Sequence, residues 1–563
     1  MGLVQKAGID EIIRKATRQG LTAAVLPDHV AAAVDRSLAA AASGDVSGVI
    51  SGSSEVLGHG ITAATDLGSA LTGRVLGALK TKPEAAPAPS VVVTAQQAVT
   101  PPTAPPPAGP SSAKPIPEQE PVDYMRAPQY FLHSQGCGYE NAYEMISSEL
   151  LLDGSARLNL ATFCTTQMPA LADRLMAETA DKNMIDKDEY PQTAEMESRC
   201  VNIISNLWNS PAGENAMGCS TTGSSEAVML AGLAMKWRWR QKMKALGKDT
   251  SRPNLVTGAN VQVCWDKFMR YFDVEERLVP LDGDKLCLTA DKLREYVDEN
   301  TIGVATVLGS TFDGRYEPFA EIAAELDRIQ EDTGLDIPLH IDAASGGFVA
   351  PFIQPELIWD FRIPRVVSIN ASGHKYGLVY PGVGWVVWRT PEYLPEELIF
   401  NVNYLGGDMP TFSLNFSRPG SEVVAQYFMF TALGFEGYRK VQQQSADVAQ
   451  YLAIEVEKIG PYELVTRGTD LPVFAFKLKD SVKNYTVFDV SDRLRERGWQ
   501  VPAYTFPANR EDLAVLRVVV RAGMSHDMAD LLLADLKKYT AKLEAMHAPM
   551  PSILSSVDKL FAH

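Results

Sequence analysis

Apolar runs of strand length alternate with helix-like runs from about residue 190 onward. The apolar runs read PNLVTG, TIGVATVLGST, PLHIDAASGG, RVVSINASG and GVGWVVWR, and the segment EIAAELDRIQEDTG between two of them has the apolar spacing of an amphipathic helix. Strands that are separated by helices usually pair in parallel, and the helices then cover both faces of the sheet. The pattern therefore predicts a mostly parallel α/β sheet.

A second pattern starts near residue 440. The helical run QQQSADVAQYLAIEVEKIG precedes the shorter segments VFAFKL, YTVFDVSDRLRERG and AVLRVVVR, and a closing helix is predicted near 527–546. We therefore predict a large domain and a smaller C-terminal α/β domain, preceded by an N-terminal segment of the same unit and followed by a tail. Their predicted ranges are 191–438, 439–546, 122–190 and 547–563.

The first 121 residues differ from the rest in composition. Residues 81–121 consist largely of Pro, Ala, Ser and Thr, which favour an extended backbone and cannot bury a core, so we predict a disordered linker. Residues 1–80 are rich in Ala and Gly with patches of helical spacing, which predicts a weakly helical extension. Basic residues near the start leave organellar targeting open as an alternative to a cytoplasmic location.

Charge and cysteine usage narrow the choice of partner. The net charge of −17 provides no basic surface for nucleic acid or an anionic membrane. No segment approaches the ~20 continuous apolar residues that cross a bilayer. The six cysteines are dispersed without a CxxC pair, so we expect no metal site. These features predict a soluble, cytoplasmic protein that acts on a small molecule.

Two predicted strand ends carry residues suited to a cofactor. The turn ASGHKYG places Ser372, His374 and Lys375 after the run RVVSIN, where ligands of open α/β sheets bind. Alone, Lys375 could be a surface lysine, and Asp342 at the end of PLHID could be a helix cap. Together they suggest an amine that forms an imine and a carboxylate that holds a pyridine nitrogen protonated.

A third motif suits a phosphate. In TTGSSEAVMLAGLAMKWRWR, Ser224 and Ser225 open a predicted long helix whose first N–H groups and positive dipole end favour an anion. A plain serine N-cap is the alternative. The three motifs together supply a phosphate anchor, a partner for a ring nitrogen and an amine.

Longer segments extend these motifs: HIDAASGGFVAPF, SINASGHKYGLVYPGVGWVVWR and NVNYLGGDMPTFSLNFSRPG. With them, the chain from about Tyr139 to about Met546 resembles the glutamate decarboxylases of the group II pyridoxal-phosphate-dependent decarboxylases. The resemblance implies the fold of the pyridoxal-phosphate-dependent transferases, fold type I. It also implies pyridoxal 5'-phosphate as the cofactor and conversion of L-glutamate to 4-aminobutyrate and carbon dioxide, with uptake of a proton.

By the same resemblance, Lys375 forms the imine with the cofactor and Asp342 pairs with its ring nitrogen. The other implied cofactor contacts come from residues around the ring and the phosphate: Gln262, Thr311, Ala344, Ser224, Ser225, Ser372 and His374. Ser417 is implied to reach the phosphate of a neighbouring subunit, which predicts a homo-oligomer, at least a dimer, with shared active sites.

The resemblance also implies substrate contacts. Arg517 is expected to hold the α-carboxylate, and the distal carboxylate is assigned to Thr162, Phe163, Asn183 and Asp186. Tyr404 is the expected proton donor to Cα, and His374 is the alternative donor.

Other functions stay open at this point. The chain could decarboxylate aspartate, cysteine sulfinate or an aromatic amino acid, or it could be a catalytically silent scaffold of the same fold. The C-terminal tail has few basic residues and no Trp, so we expect no calmodulin switch. His563 could fold back over the site, with a free tail as the alternative.

Overall fold

The computed structural model describes residues 128, 130–133, 135–213, 215–403 and 409–546. The predicted extension, linker and C-terminal tail lie outside these residues, as do Tyr404 and His563. The predictions for them therefore stay predictions.

The central layer is a seven-stranded sheet with the spatial order β1-β7-β6-β5-β4-β2-β3. Its strands are β1 (Met217–Thr221), β2 (Asn254–Gly258), β3 (Glu275–Val279), β4 (Thr301–Val307), β5 (Leu339–Asp342), β6 (Val366–Ala371) and β7 (Gly384–Trp388). Strands β2 to β6 pair in parallel, whereas β7 runs antiparallel to both of its neighbours. The predicted mostly parallel sheet is confirmed, although β1 and β3 were not among the predicted runs.

Helices precede and connect the strands of this sheet and of a second sheet that follows it in the chain. They are α1 (Tyr139–Leu150), α2 (Ala170–Glu178), α3 (Pro191–Leu207), α4 (Ser224–Ala245), α5 (Val263–Tyr271), α6 (Leu293–Tyr296), α7 (Phe319–Thr333), α8 (Ala350–Ile353), α9 (Ser421–Glu457), α10 (Val487–Arg495) and α11 (His526–Glu544). Single 3-10 turns cover Ala156–Leu158, Ala290–Lys292, Gly346–Phe348, Pro391–Tyr393 and Glu396–Leu398. Every residue of β4 and β6 is buried, as expected for interior strands of a sheet with both faces covered.

The C-terminal part forms a second, smaller sheet. Its antiparallel strands, in the spatial order β10-β11-β13-β12, are β10 (Tyr462–Leu464), β11 (Val473–Leu478), β12 (Ala503–Thr505) and β13 (Ala514–Val519). Phe474 and Leu516 share its apolar core with residues of α9 and α11. A hairpin of β8 (Phe400–Val402) and β9 (Met409–Thr411) lies outside both sheets.

Helix α9 changes direction at Gly434, whose φ of 58° and ψ of −173° are not helical. The predicted boundary between the domains, at 438 and 439, falls within this helix, close to the break. That boundary stays a prediction. None of the described helices contains an apolar stretch long enough to cross a membrane.

Strand β7 approaches the start of α4 so closely that a side chain does not fit between them. A Cβ on Gly384 would lie 2.4 Å from the carbonyl carbon of Gly223 and 2.7 Å from the backbone nitrogen of Ser224. Gly384 is also the pairing partner of Thr221 in β1. The absence of a side chain at Gly384 therefore sets the position of the helix start.

We expect Gly384→Ala to lower the free energy of unfolding by about 1–3 kcal/mol, because the added methyl group overlaps backbone atoms that must move. Urea unfolding checks the change. Gly136→Ala is the control, since a Cβ there has no neighbour within 4 Å. Equal effects of the two substitutions would contradict the proposed close packing.

Candidate active site

A cavity of about 310 Å³ opens at the carboxyl ends of β4, β5 and β6. Side chains that follow parallel strands in the chain meet at this edge of the sheet. The cavity brings together all of the predicted cofactor residues except Ser417: Ser224, Ser225, Gln262, Thr311, Asp342, Ala344, Ser372, His374 and Lys375.

Lys375 places its amine inside this cavity. The Nζ atom donates to Ser345 Oγ at 3.3 Å and lies 5.3 Å from the ring centroid of Phe163. Burial lowers the pKa of the Lys375 amine, and the nearby Asp342 carboxylate opposes that shift. A lowered pKa increases the fraction of neutral amine, which is the nucleophilic form.

Asp342 ends β5, and both of its carboxylate oxygens accept hydrogen bonds. Trp265 Nε1 donates to Oδ2 at 3.0 Å. Oδ1 accepts from Asn370 Nδ2 at 2.9 Å and from the backbone N–H of Ala344 at 3.1 Å. These three donors fix the carboxylate in one orientation at the wall of the cavity.

Another part of the cavity wall is formed by hydroxyl groups and by a histidine. Ser372 Oγ donates to Ser224 Oγ at 2.8 Å, at the first residue of α4. Within the described residues, the buried Nδ1 atom of His374 has no hydrogen-bond partner. Burial lowers the pKa of His374 to about 4, so its imidazole is neutral at pH 7.

Gln262 and Thr311 line the cavity between these two parts. Gln262 caps α5, where its Oε1 accepts from the backbone N–H of Cys264 at 2.6 Å. The backbone carbonyl of Thr311 accepts from the guanidinium of Arg517. Arg517 thereby links strand β13 of the smaller sheet to the loop after β4.

The predicted substrate residues Thr162 and Phe163 lie beside Lys375 and Arg517. The Phe163 ring is 4.9 Å from the guanidinium carbon of Arg517, on the same ring that contacts the Lys375 amine. Arg517 donates to Ala161 O at 2.6 Å, and its buried Nε has no partner within the described residues. The hydroxyl of Thr162 accepts from the N–H of Cys164 at 3.1 Å, which fixes its position in this segment.

Asn183, Asp186 and Ser417 form a separate group that does not line the cavity. Asn183 Nδ2 donates to Ser417 Oγ at 3.3 Å, and Asn183 Oδ1 accepts from the backbone N–H of Arg418 at 3.0 Å. The N–H of Asp186 donates to the carbonyl of Asn183 at 3.2 Å. Ser417 itself is exposed. The predicted site residues that the structure describes thus fall into three groups: those that line the cavity, those around the Phe163 ring next to it, and the group of Ser417.

Three further residues of the site were missed from the sequence. Trp265 lies three positions after Gln262, on the same face of α5, which is a signal that could have identified it. Asn370 is a buried polar residue in an apolar strand. A buried polar side chain is uncommon and indicates a specific hydrogen-bonding role. Glu226 gave no signal, because it accepts from the backbone N–H groups of Leu414 and Asn415, which are distant in sequence.

Comparison with known proteins identifies the class of enzyme. Residues 150–479 match the pyridoxal-dependent decarboxylase conserved domain. The chain is 57% identical over 415 residues to a glutamate decarboxylase of Aliivibrio fischeri, covering 73% of this chain and 89% of that protein. It is 49% identical over 423 residues to glutamate decarboxylase beta of Listeria innocua, covering 75% of this chain and 91% of that protein.

A solved structure agrees with these relatives. The glutamate decarboxylase of Lactobacillus brevis superposes with a TM-score of 0.73 at 48% sequence identity, over 75% of this chain and 96% of that chain. The chain belongs to the pyridoxal-dependent decarboxylase family. It is a carboxy-lyase of the fold type I class, and its cofactor is pyridoxal 5'-phosphate, which confirms the predicted fold, enzyme class and cofactor.

The residues of the cavity fit this cofactor. The Lys375 amine suits the aldehyde, and the fixed Asp342 carboxylate suits the ring nitrogen; we call this side the ring end. The hydroxyls of Ser224 and Ser372 and the unpartnered Nδ1 of His374 suit the phosphate, and we call this side the phosphate end. Among the described residues, no three His, Cys, Asp or Glu side chains are grouped as metal ligands.

We expect Lys375→Ala to abolish the visible absorption of the bound cofactor and all steady-state turnover, because no other amine lines the cavity among the residues that the structure describes. An absorption spectrum of the purified protein with added pyridoxal phosphate checks this. Lys248→Ala is the control, since Lys248 pairs with Glu299 outside the cavity. A Lys375→Ala protein that keeps both properties would contradict the assignment.

Proposed function

We propose that this chain is a glutamate decarboxylase that converts L-glutamate to 4-aminobutyrate and carbon dioxide, with uptake of one proton. The observation that carries the proposal is the cavity that contains Lys375 and Asp342. The Phe163 ring lies next to it, 5.3 Å from the Lys375 amine and 4.9 Å from the Arg517 guanidinium. Relatives named glutamate decarboxylase, at 49% to 57% identity and with most of their length covered, support glutamate as the substrate.

Bound pyridoxal phosphate supplies an electron sink for the bond that releases carbon dioxide. Lys375 holds the cofactor through its amine, and Asp342 faces the ring nitrogen. Ser224, Ser225, Ser372 and His374 hold the phosphate, while Gln262, Thr311 and Ala344 bound the ring. The rigid hydrogen bonds of Asp342 and the capping role of Gln262 support these assignments, because fixed partners lose little freedom on binding.

Arg517 orients the substrate in this proposal. Its guanidinium lies between the Phe163 ring, at 4.9 Å, and the Tyr504 ring, at 5.5 Å, and its Nε has no protein partner within the described residues. A buried guanidinium held in this way binds a carboxylate through charge-assisted hydrogen bonds. Binding the α-carboxylate there fixes which bond of the substrate breaks.

The distal carboxylate is held by Thr162 and Phe163 together with Asn183 and Asp186. The last two are hydrogen-bonded into the group of Ser417, which was predicted to reach a neighbouring subunit. We therefore propose that Asn183, Asp186 and Ser417 act together on the active site of the neighbouring subunit. Leu414 and Phe416, on the same segment as Ser417, are each 42% exposed, which supports a partner surface here.

Tyr404 is the proposed proton donor to Cα, although it lies outside the described residues. The environment of His374 supports this choice over the alternative donor. Burial lowers the pKa of His374 to about 4, and its side chain is assigned to the phosphate, which leaves Tyr404 as the proposed donor to Cα.

A cytoplasmic location is also proposed. All six cysteines are described and all are free thiols, and free thiols are typical of a reducing compartment.

An inventory of products tests the proposed function. We expect purified protein with pyridoxal phosphate to release carbon dioxide and 4-aminobutyrate in equal amounts from L-glutamate. L-aspartate is one methylene shorter and reaches the distal site poorly, so its kcat/KM should be about 10- to 200-fold lower. Faster decarboxylation of aspartate, cysteine sulfinate or an aromatic amino acid would overturn the glutamate assignment.

Mixed dimers test whether the active site is shared. Lys375→Ala and Asp186→Ala should each be nearly inactive as homodimers. In a mixed dimer, one site combines an intact Lys375 with the partner subunit's intact Asp186, so activity should return when the two proteins are co-expressed with different tags.

Lys375→Ala mixed with Arg517→Ala is the matched control. Both residues lie beside the same Phe163 ring of one chain, so no mixed dimer of this pair contains an intact site. If the first pair recovers no more activity than this control, Asp186 acts within its own chain.

A further inference from the structure

Asn370 lies behind the cavity and hydrogen-bonds to both of its ends. It is fully buried in β6, where it pairs in register with Asp342 of β5. Its Nδ2 donates to Asp342 Oδ1 at 2.9 Å and to Ser224 Oγ at 3.1 Å. Both amide hydrogens are therefore used, one on the residue assigned to the ring nitrogen and one on a residue assigned to the phosphate.

His340 holds this amide in one orientation. Its Nε2 lies 2.8 Å from Asn370 Oδ1, and its Nδ1 lies 2.8 Å from Ser368 Oγ. An amide oxygen only accepts, so Nε2 carries the proton and Nδ1 accepts from the Ser368 hydroxyl. Burial lowers the pKa of His340 to about 4, with Asp342 opposing the shift, so the imidazole stays neutral and keeps this single tautomer.

The chain of hydrogen bonds continues to the phosphate end. Ser372 Oγ donates to Ser224 Oγ at 2.8 Å, so Ser372 is linked to Asn370 through Ser224. All members of this chain, including His340 and Ser368, are buried. Networks that are fully hydrogen-bonded and shielded from water are rigid, because breaking any one bond leaves a buried group unpaired.

We propose that Asn370 is a positioning residue that sets the relative placement of the Asp342 carboxylate and the Ser224 hydroxyl, and that His340 fixes the amide that does so. The inference rests on the proposed roles of Asp342 and Ser224 in holding the cofactor. Asn370 itself lines no part of the cavity. It acts by fixing the Asp342 carboxylate and the Ser224 hydroxyl relative to each other, because one amide nitrogen donates to both, at 2.9 and 3.1 Å.

The test is cofactor binding to apoprotein carrying Asn370→Leu, a substitution that keeps the branch at Cγ and removes both donors. We expect the dissociation constant of pyridoxal phosphate, from titration of the visible absorption, to rise by about tenfold or more. The absorption band of the bound cofactor should also shift, because Asp342 loses one of its three hydrogen-bond donors. At saturating cofactor, kcat should fall with little change in the KM for glutamate.

Thr257→Val is the matched control. Thr257 is also fully buried in the sheet, but its Oγ1 donates to the carbonyl of Ala305, away from the cavity. We expect this variant to lower the unfolding midpoint of the apoprotein by a similar amount while leaving cofactor affinity and spectrum unchanged. If Asn370→Leu changes only the unfolding midpoint, as the control does, the positioning role is wrong.

A second variant covers the case in which Asn370→Leu does not fold. Asn370→Ser is smaller and keeps one hydroxyl, and it is combined with Ser224→Ala in a double-mutant cycle on the dissociation constant of the cofactor. If Asn370 acts through Ser224, the double variant should lose less affinity than the product of the two single losses. Independent, multiplicative losses would overturn the proposed connection.

A separate measurement distinguishes failure of this inference from failure of the proposed function. Cofactor affinity and spectrum do not depend on which amino acid is decarboxylated. A wild-type protein that binds pyridoxal phosphate but does not decarboxylate glutamate would refute the proposed substrate and leave the role of Asn370 standing. Normal glutamate turnover with unchanged cofactor binding in both Asn370 variants would refute the positioning role alone.

Discussion

A carboxylate buried at the end of β5 needs hydrogen-bond donors, because an isolated buried charge is strongly destabilising. Asp342 receives them from Trp265, Asn370 and the backbone of Ala344. Each donor comes from a different position: helix α5, strand β6 and the turn after β5. Satisfying this one carboxylate therefore fixes how three parts of the large domain meet, and the cavity lies where they meet.

The position of the proposed substrate groups Thr162 and Phe163 depends on the smaller sheet. Arg517 in β13 and Arg521 just after it donate to backbone carbonyls of the segment that carries Thr162 and Phe163, at Ala161 and Cys164 respectively. These hydrogen bonds join the segment that precedes the large sheet to the smaller, C-terminal sheet. The proposed substrate groups are thus positioned by the segment before β1 and by the smaller sheet, whereas the residues that line the cavity belong to the large sheet and its connections.

The sequence was most informative where a residue and its structural context are close in the chain. Lys375, Asp342 and Ser224 follow strands or begin a helix, so their shared location follows from the parallel topology. Strand β1 was missed because MGCST is short, with Gly and polar residues in place of an apolar run. The break at Gly434 was also missed, since a glycine within a helical pattern does not by itself indicate a change of direction.

Contacts between segments that are distant in the chain could not be predicted from the sequence. The hydrogen bond of Asn183 to Ser417 joins residues on either side of the large sheet in the chain, and Glu226 holds the segment of Asn415 in the same way. Neither pair has a periodic pattern or a motif, because the pairing depends on the folded path of the chain. Resemblance supplied candidate roles for Asn183 and Ser417, but their grouping is visible only in three dimensions.

The central claim is that Lys375 binds the cofactor at the strand ends organised around Asp342. The most direct measurement is reduction of the purified holoprotein with borohydride, which turns the linkage between lysine and cofactor into a stable secondary amine, followed by peptide mapping by mass spectrometry. The account predicts one pyridoxyl group, on the peptide that contains Lys375. A label on another lysine, or no label on a protein that still decarboxylates, would contradict it.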